Sequence, residues 1–239
     1  MTGSLPQILL SAGCAGSMVF LGGLIARLFE RAAGDGFIKK EIVHTSMAFG
    51  GGIIVAAVAF ILVPKGMEQF SVVPMALFFL AGASAFLFLD KVIEKRGGSI
   101  AQLLAMLLDF IPESIALGAV FAQEPSVGLL LALFIGLQNF PESFNSYSDL
   151  KRIGMSAAKI LCILFVLSFS GIAAAAAGYF FLRDIPALTG ALMLFASGGI
   201  LYLIFQDIAP MSKMKQSWVP AFGASCGYLI GMIGHKLLG

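Results

Sequence analysis

The sequence predicts an all-α, polytopic membrane protein: an eight-transmembrane-helix bundle with its N- and C-termini outside. Three observations carry that expectation. Of 239 residues, 59% are hydrophobic and only 12% charged, more apolar surface than a soluble domain of this length hides. Apolar runs of about 20 residues, the length that crosses a bilayer as a helix, recur along the whole chain. They are continuous rather than alternating, which excludes the period-two pattern of a membrane barrel. Finally, Lys and Arg fall mostly in every second connection, and such a bias fixes orientation.

Taken in order, the runs cover roughly 6–26, 42–64, 73–90, 99–122, 126–147, 160–182, 186–209 and 217–238. Met1 to Gln7 lacks the basic n-region of a cleaved signal, and the first run is long enough to span. It carries Gly13, Gly16, Gly22 and Gly23, and the second carries Gly50, Gly51 and Gly52. The sixth has small residues from Ala173 to Gly178, and the last has Gly223, Gly227, Gly231 and Gly234. Small residues let helix backbones approach closely in lipid, and tight packing is the reading given to most of these. The connection 27–41, mixed in charge with Gly34 and Gly36, reads as a flexible loop. No connection is long enough to hold a soluble domain, so 1–239 is read as one transmembrane domain.

Orientation follows from the basic residues. Arg27, Arg31, Lys39, Lys40, Lys91, Lys95, Arg96, Lys151, Arg152, Lys159, Lys213 and Lys215 fall on one side, against Lys65, Arg183 and Lys236 on the other. The positive side is cytoplasmic, which puts both termini outside. A formal net charge of +2 is too small to point to nucleic acid. Cys14, Cys162 and Cys226 lie in apolar context without C-x-x-C spacing and read as buried packing residues.

Two stretches place polarity deep in these runs: Asp109-Phe110-Ile111-Pro112-Glu113-Ser114 and Gln138-Asn139-Phe140-Pro141-Glu142-Ser143. An acid at membrane depth marks a functional site by default. No Lys or Arg lies near the middle of any run, so these acids hold a proton, find donors, or meet a cation from outside. The fourth and fifth runs are joined by the short Gln123-Glu124-Pro125 turn and are expected to be antiparallel neighbours. Asp109 with Glu113, and Gln138 with Glu142, are spaced i, i+4, one face of a helix. Two such faces turned together bring four oxygen-bearing side chains to one place. Pro112 and Pro141 cannot donate to Leu108 and Leu137, so kinked helices with freed carbonyls are expected beside the acids.

Other polar residues weigh less. Asp207, beside Gln206 and before Pro210, reads as an exit ligand or an interfacial acid. His44 reads as an interface residue, Glu68 and Met67 as loop residues, and His235 carries little signal.

These motifs resemble the ZIP (Zrt/Irt-like) divalent metal transporters, in particular their GufA-like bacterial branch. The family pattern in the fourth helix is H-N-x-P-E-G, against Asp109 to Ser114 here; in the fifth it is often Q-N/D-x-P-E-G, against Gln138 to Ser143. Gly198-Gly199-Ile200-Leu201-Tyr202 leading to Asp207-Ile208-Ala209-Pro210 is similar to the family's seventh helix, and Asp90 closing the third run also fits. The sequence departs from the pattern at Asp109, where the family has histidine, and at Phe110, where it has asparagine. It departs again at Gly171-Ile172-Ala173, where relatives carry an acid.

The resemblance implies a divalent metal transporter in a bacterial inner membrane, with periplasmic termini. It implies a single metal site of Asp109, Glu113, Gln138 and Glu142, with Asn139 and Asp207 as further candidate ligands. The metal is substrate rather than cofactor: Zn²⁺, Fe²⁺ or Mn²⁺, with Cd²⁺ or Co²⁺ as surrogates. Partners are the ion and the bilayer, with a homodimer open and no nucleic acid. Without histidine the ligand set is all oxygen, which favours broad divalent selectivity. Three clustered carboxylates in a poorly solvated space cannot all be charged at once, so metal binding is expected to expel protons. A degenerate homologue that binds without transporting is the alternative. An enzyme is not expected: His44 and His235 form no H-E-x-x-H pair.

Overall fold

A computed structural model describes residues 3–32, 36–95 and 101–238. The readings that fall on Met1, Thr2, Gly34 and Arg96 lie outside the described residues. Among the described residues there is no strand, and the chain runs as eight helical rods. They are α1 (Leu5–Ala32), α2 (from Phe37–Ala57 on to Val63–Met67), α3 (Val72–Lys95), α4 (Ala101–Gln123) and α5 (Pro125–Arg152). Then come α6 (Ala157–Ser168 and Ser170–Phe181), α7 (from Pro186–Leu203 on to Ala209–Ser212) and α8 (Val219–Leu238).

Seven of these, α1 to α7, are long and apolar enough to cross a membrane. This is a helical membrane protein of the multi-pass kind. The eighth rod is 20 residues long, but its glycines and the closing His235-Lys236 dilute its apolar character.

The helices outrun the apolar segments that announce them. The supposed loop 27–41 is largely helix: α1 continues to Ala32 and α2 begins at Phe37. Charged residues such as Arg27, Lys39 and Lys40 therefore ride on helix ends, where long stems lie along apolar surface and heads reach water. Local chemistry sets several boundaries. Pro125 and Pro186 open α5 and α7 at a position whose N–H is spare. The Ser156 hydroxyl accepts from Lys159 N–H and caps α6. Gly154 (φ 91°) ends α5, with its N–H donating to the Lys151 carbonyl and Met155 N–H to that of Leu150.

Pro112 and Pro141 lie inside helices that run through them without interruption. The irregularities fall elsewhere. α2 widens into a π turn at Val58–Leu62, just before Pro64, and α7 does so at Ile204–Ile208, just before Pro210. A widened turn relieves the clash of a proline ring with the preceding turn. α6 breaks at Phe169, between Ser168, whose hydroxyl donates to the Leu164 carbonyl, and Ser170, which donates to that of Leu167.

Packing divides the rods into two groups. α1, α4, α5 and α6 pack on one another; α2, α3, α7 and α8 form the second set. They meet chiefly where α2 crosses α5 and α4 lies on α7. Glycines make the close approaches: a Cβ on Gly227 of α8 would lie 2.0 Å from the Phe49 carbonyl oxygen of α2, and one on Gly118 of α4 1.9 Å from that of Ala175 in α6. The cysteines are not buried packing residues: Cys14 and Cys162 are exposed and Cys226 half-exposed. In a lipid-facing bundle an apolar side chain gains little from the interior, so apolar context does not predict burial.

At the basic end each group is fastened by a tyrosine and an acid. Tyr147 donates to Glu30 at 2.9 Å between α5 and α1, and Tyr202 to Asp90 at 2.8 Å between α7 and α3. His44 Nδ1 lies 2.7 Å from the Met211 carbonyl oxygen, joining α2 to α7 as an interface residue.

Candidate functional site

α4 and α5 are joined by the single residue Glu124, so they return antiparallel in contact. Their faces meet in register. Gln138 Nε2 donates to Glu113 Oε2 across the pair. One helical turn nearer the basic end, the carboxyls of Asp109 and Glu142 face one another, and neither Glu142 oxygen has a hydrogen-bond partner. A step of four residues back along α4 is matched by a step of four forward along α5, as antiparallel i, i+4 faces require.

The oxygens of the cluster are buried. Asp109 is 4% exposed and Glu113, Gln138 and Asn139 are 0% exposed, while Glu142 is half-buried with both its oxygens enclosed. Two carboxyls facing one another in a poorly solvated site do not both stay charged, so the pair holds a proton. Asp109 Oδ1 also accepts from Phe110 N–H at 2.7 Å. The side chains acting on the three acids are one another and Gln138. Several polar atoms are left without hydrogen-bond partners: Glu113 Oε1, Gln138 Oε1, both amide atoms of Asn139 and both oxygens of Glu142. A buried polar group without a partner costs about 1–3 kcal/mol. The cluster therefore has unused coordinating capacity.

The structure thus brings Asp109, Glu113, Gln138 and Glu142 together. Asn139 sits beside Gln138 in sequence but about 100° around the helix from it, and does not share its face. Asp207 is half-buried on the π turn of α7, away from the α4–α5 faces in sequence and element. Among the described residues no group of three or more His, Cys, Asp and Glu side chains is arranged to hold a metal ion. The physical reason lies in the pairing: Glu113 faces an amide N–H₂ group, and Asp109 faces Glu142. Coordination by these groups calls for Gln138 to turn its oxygen inward and for the shared proton to leave.

Sequence reading missed two residues of the same neighbourhood. Asn145 and Ser146 follow Glu142 by three and four residues on α5, and are 3% and 0% exposed. Their signal was present: polar side chains at the spacing of a buried helix face.

The remaining candidates are tied up elsewhere. Glu68 is an ion-pair partner of Lys65 at 3.2 Å, and Lys65 reaches Glu124 at 2.8 Å. His235 stacks on Phe60 at 5.0 Å. No protein-family model matches this chain. No curated protein matches it either.

Proposed function

We propose that the protein carries divalent cations of the Zn²⁺, Fe²⁺ and Mn²⁺ type across a membrane, through a single oxygen-rich site between α4 and α5. The observation that supports this most is the buried pairing of Glu113 with Gln138 and of Asp109 with Glu142, without a basic side chain among them. Intramembrane acids without a basic partner call for a mobile positive charge, which a proton or a metal ion supplies. The unpartnered oxygens of Glu113, Gln138 and Glu142 are hard donors that suit a divalent ion completed by water.

On this reading the cation and protons exchange: the ion displaces the shared proton, and acid displaces the ion. The two packing groups provide a means of alternating access, one sliding against the other over small-residue contacts. All eight rods cross the membrane, with both termini outside, in a bacterial inner membrane. The motif resemblance to ZIP transporters points the same way. Asp109 replaces a softer histidine donor, which favours broad selectivity over strict zinc preference.

The test is uptake of Mn²⁺, Zn²⁺ and Cd²⁺ by purified protein in liposomes. The intact protein is expected to fill the vesicles, and Glu113→Ala and Glu142→Ala to abolish filling while still inserting. Retained uptake in both variants removes the site. Binding without uptake by the intact protein favours the second reading, a relative that holds metal without moving it.

A further inference from the structure

The basic end of α5, from Glu142 to Arg152, buries polar side chains beside its apolar face of Phe144, Tyr147 and Leu150. Glu142, Asn145, Ser146 and Asp149 succeed one another at steps of three, one and three, positions that an interior-facing helix gives to apolar side chains. All four are polar. Asn145 and Ser146 are buried, yet Asn145 Nδ2 and Ser146 Oγ have no partner. A serine within a helix commonly satisfies itself on the carbonyl four residues back, as Ser148 does on Phe144 at 3.1 Å; Ser146 does not.

The register continues from the acid cluster. Three residues beyond the Asp109–Glu142 rung, Met106 of α4 comes level with Asn145, and Met106 is itself buried. The line ends at Asp149, whose side chain is 28% exposed and lies 3.2 Å from Arg152 Nη1. A continuous file of polar groups therefore joins the acid cluster to an accessible carboxylate. Buried polar atoms that find no protein partner are ordinarily satisfied by ordered water.

We propose that this face of α5 lines a water-filled passage between the acid cluster and the basic end of the bundle. Asn145 and Ser146 hold its water, and a partly hydrated divalent cation travels along it. Neutral dipoles suit such a passage, because they replace part of a hydration shell without trapping the ion as a second carboxylate pair would. Asp149 attracts cations to the mouth. The identity of the travelling ion rests on the transport reading; the presence of water does not.

Two measurements test this separately. With Cys14, Cys162 and Cys226 replaced by alanine, single variants Asn145→Cys, Ser146→Cys, Arg152→Cys and the lipid-facing Leu133→Cys are placed in sealed vesicles. A charged, membrane-impermeant thiosulfonate is then added to either side. Thiols react as thiolates, which form in water and not in lipid. Labelling of Asn145→Cys and Ser146→Cys is expected from the side that labels Arg152→Cys, with Leu133→Cys unlabelled. Failure of both to react from either side, while Arg152→Cys reacts, overturns the passage.

The second measurement uses Asn145→Leu in liposomes, with Mn²⁺ as probe. Its initial uptake is expected to fall by about tenfold, with Mn²⁺ affinity of the detergent-solubilised protein within about twofold of the parent. Unchanged uptake overturns the role in cation movement. If the parent protein itself moves no Mn²⁺, the transport reading fails, and labelling alone decides whether the passage holds water.

Discussion

At the residue scale the informative contact is that between Asp109 and Glu142. Two buried carboxyls facing one another hold a proton, and a divalent cation cannot take both without expelling it. The sign follows directly. As pH falls, proton occupancy rises and cation affinity weakens; as pH rises, the proton is lost more easily and affinity strengthens. Each proton released per ion makes the apparent affinity change by about tenfold per pH unit. Isothermal titration with Mn²⁺ in mildly acidic and mildly alkaline buffer is expected to show this, and an unchanged isotherm would count against the shared proton. The acids themselves were legible in the sequence because charge within a long apolar run is conspicuous. Their pairing was partly legible: i, i+4 spacing puts Glu113 on the face of Asp109 and Glu142 on that of Gln138. Which residue of α4 meets which residue of α5 was not, because register depends on the turn at Glu124 and on side-chain packing along both helices.

At the scale of the element, glycine does most of the fitting. Gly227 lies against the Phe49 carbonyl, and α8 buries its four glycines rather than large side chains. A β-branched residue there has backbone, not a flexible side chain, to displace. Gly227→Val is expected to cost about 1–3 kcal/mol through overpacking, read as a lowered melting temperature in detergent, while Gly36→Val, with open space around it, leaves stability unchanged. The glycine spacing showed in the sequence; the partner helix did not. The apolar runs located every rod, but they understated lengths, since helix continues past the last apolar residue into Arg- and Lys-bearing ends. Prolines misled in one respect. Pro112 and Pro141 looked like the disruptive pair, yet π turns appear before Pro64 and Pro210, and α6 breaks with no proline at all. A proline inside a helix removes one hydrogen bond; whether the helix widens depends on what packs against that turn.

At the scale of the whole molecule, the two packing groups meet along a seam. One crossing is that of α8 on α5, where a Cβ on Gly234 would lie 2.9 Å from Leu130 Cδ1. If cation movement needs the groups to slide, fastening them there stops it. A Leu130→Cys, Gly234→Cys pair bridged by mercury is expected to lose uptake and to regain it with excess thiol, whereas either single variant treated alike retains it. Uptake that survives bridging would show that the seam stays fixed during transport.

The widened turn of α2 has a consequence for how that helix is aimed. Such a turn accommodates one residue more than an ordinary α-helical turn. Winding the same residues as regular α-helix through Val58–Leu62, without the widened turn, would swing everything beyond it by about 100° about the helix axis. Lys65 would then point away from Glu124, and the ionic tie holding α2 to the head of α5 would be undone. The extra residue acts as a spacer: it dials the last turn of α2 to the one bearing at which its lysine meets the opposite group of helices.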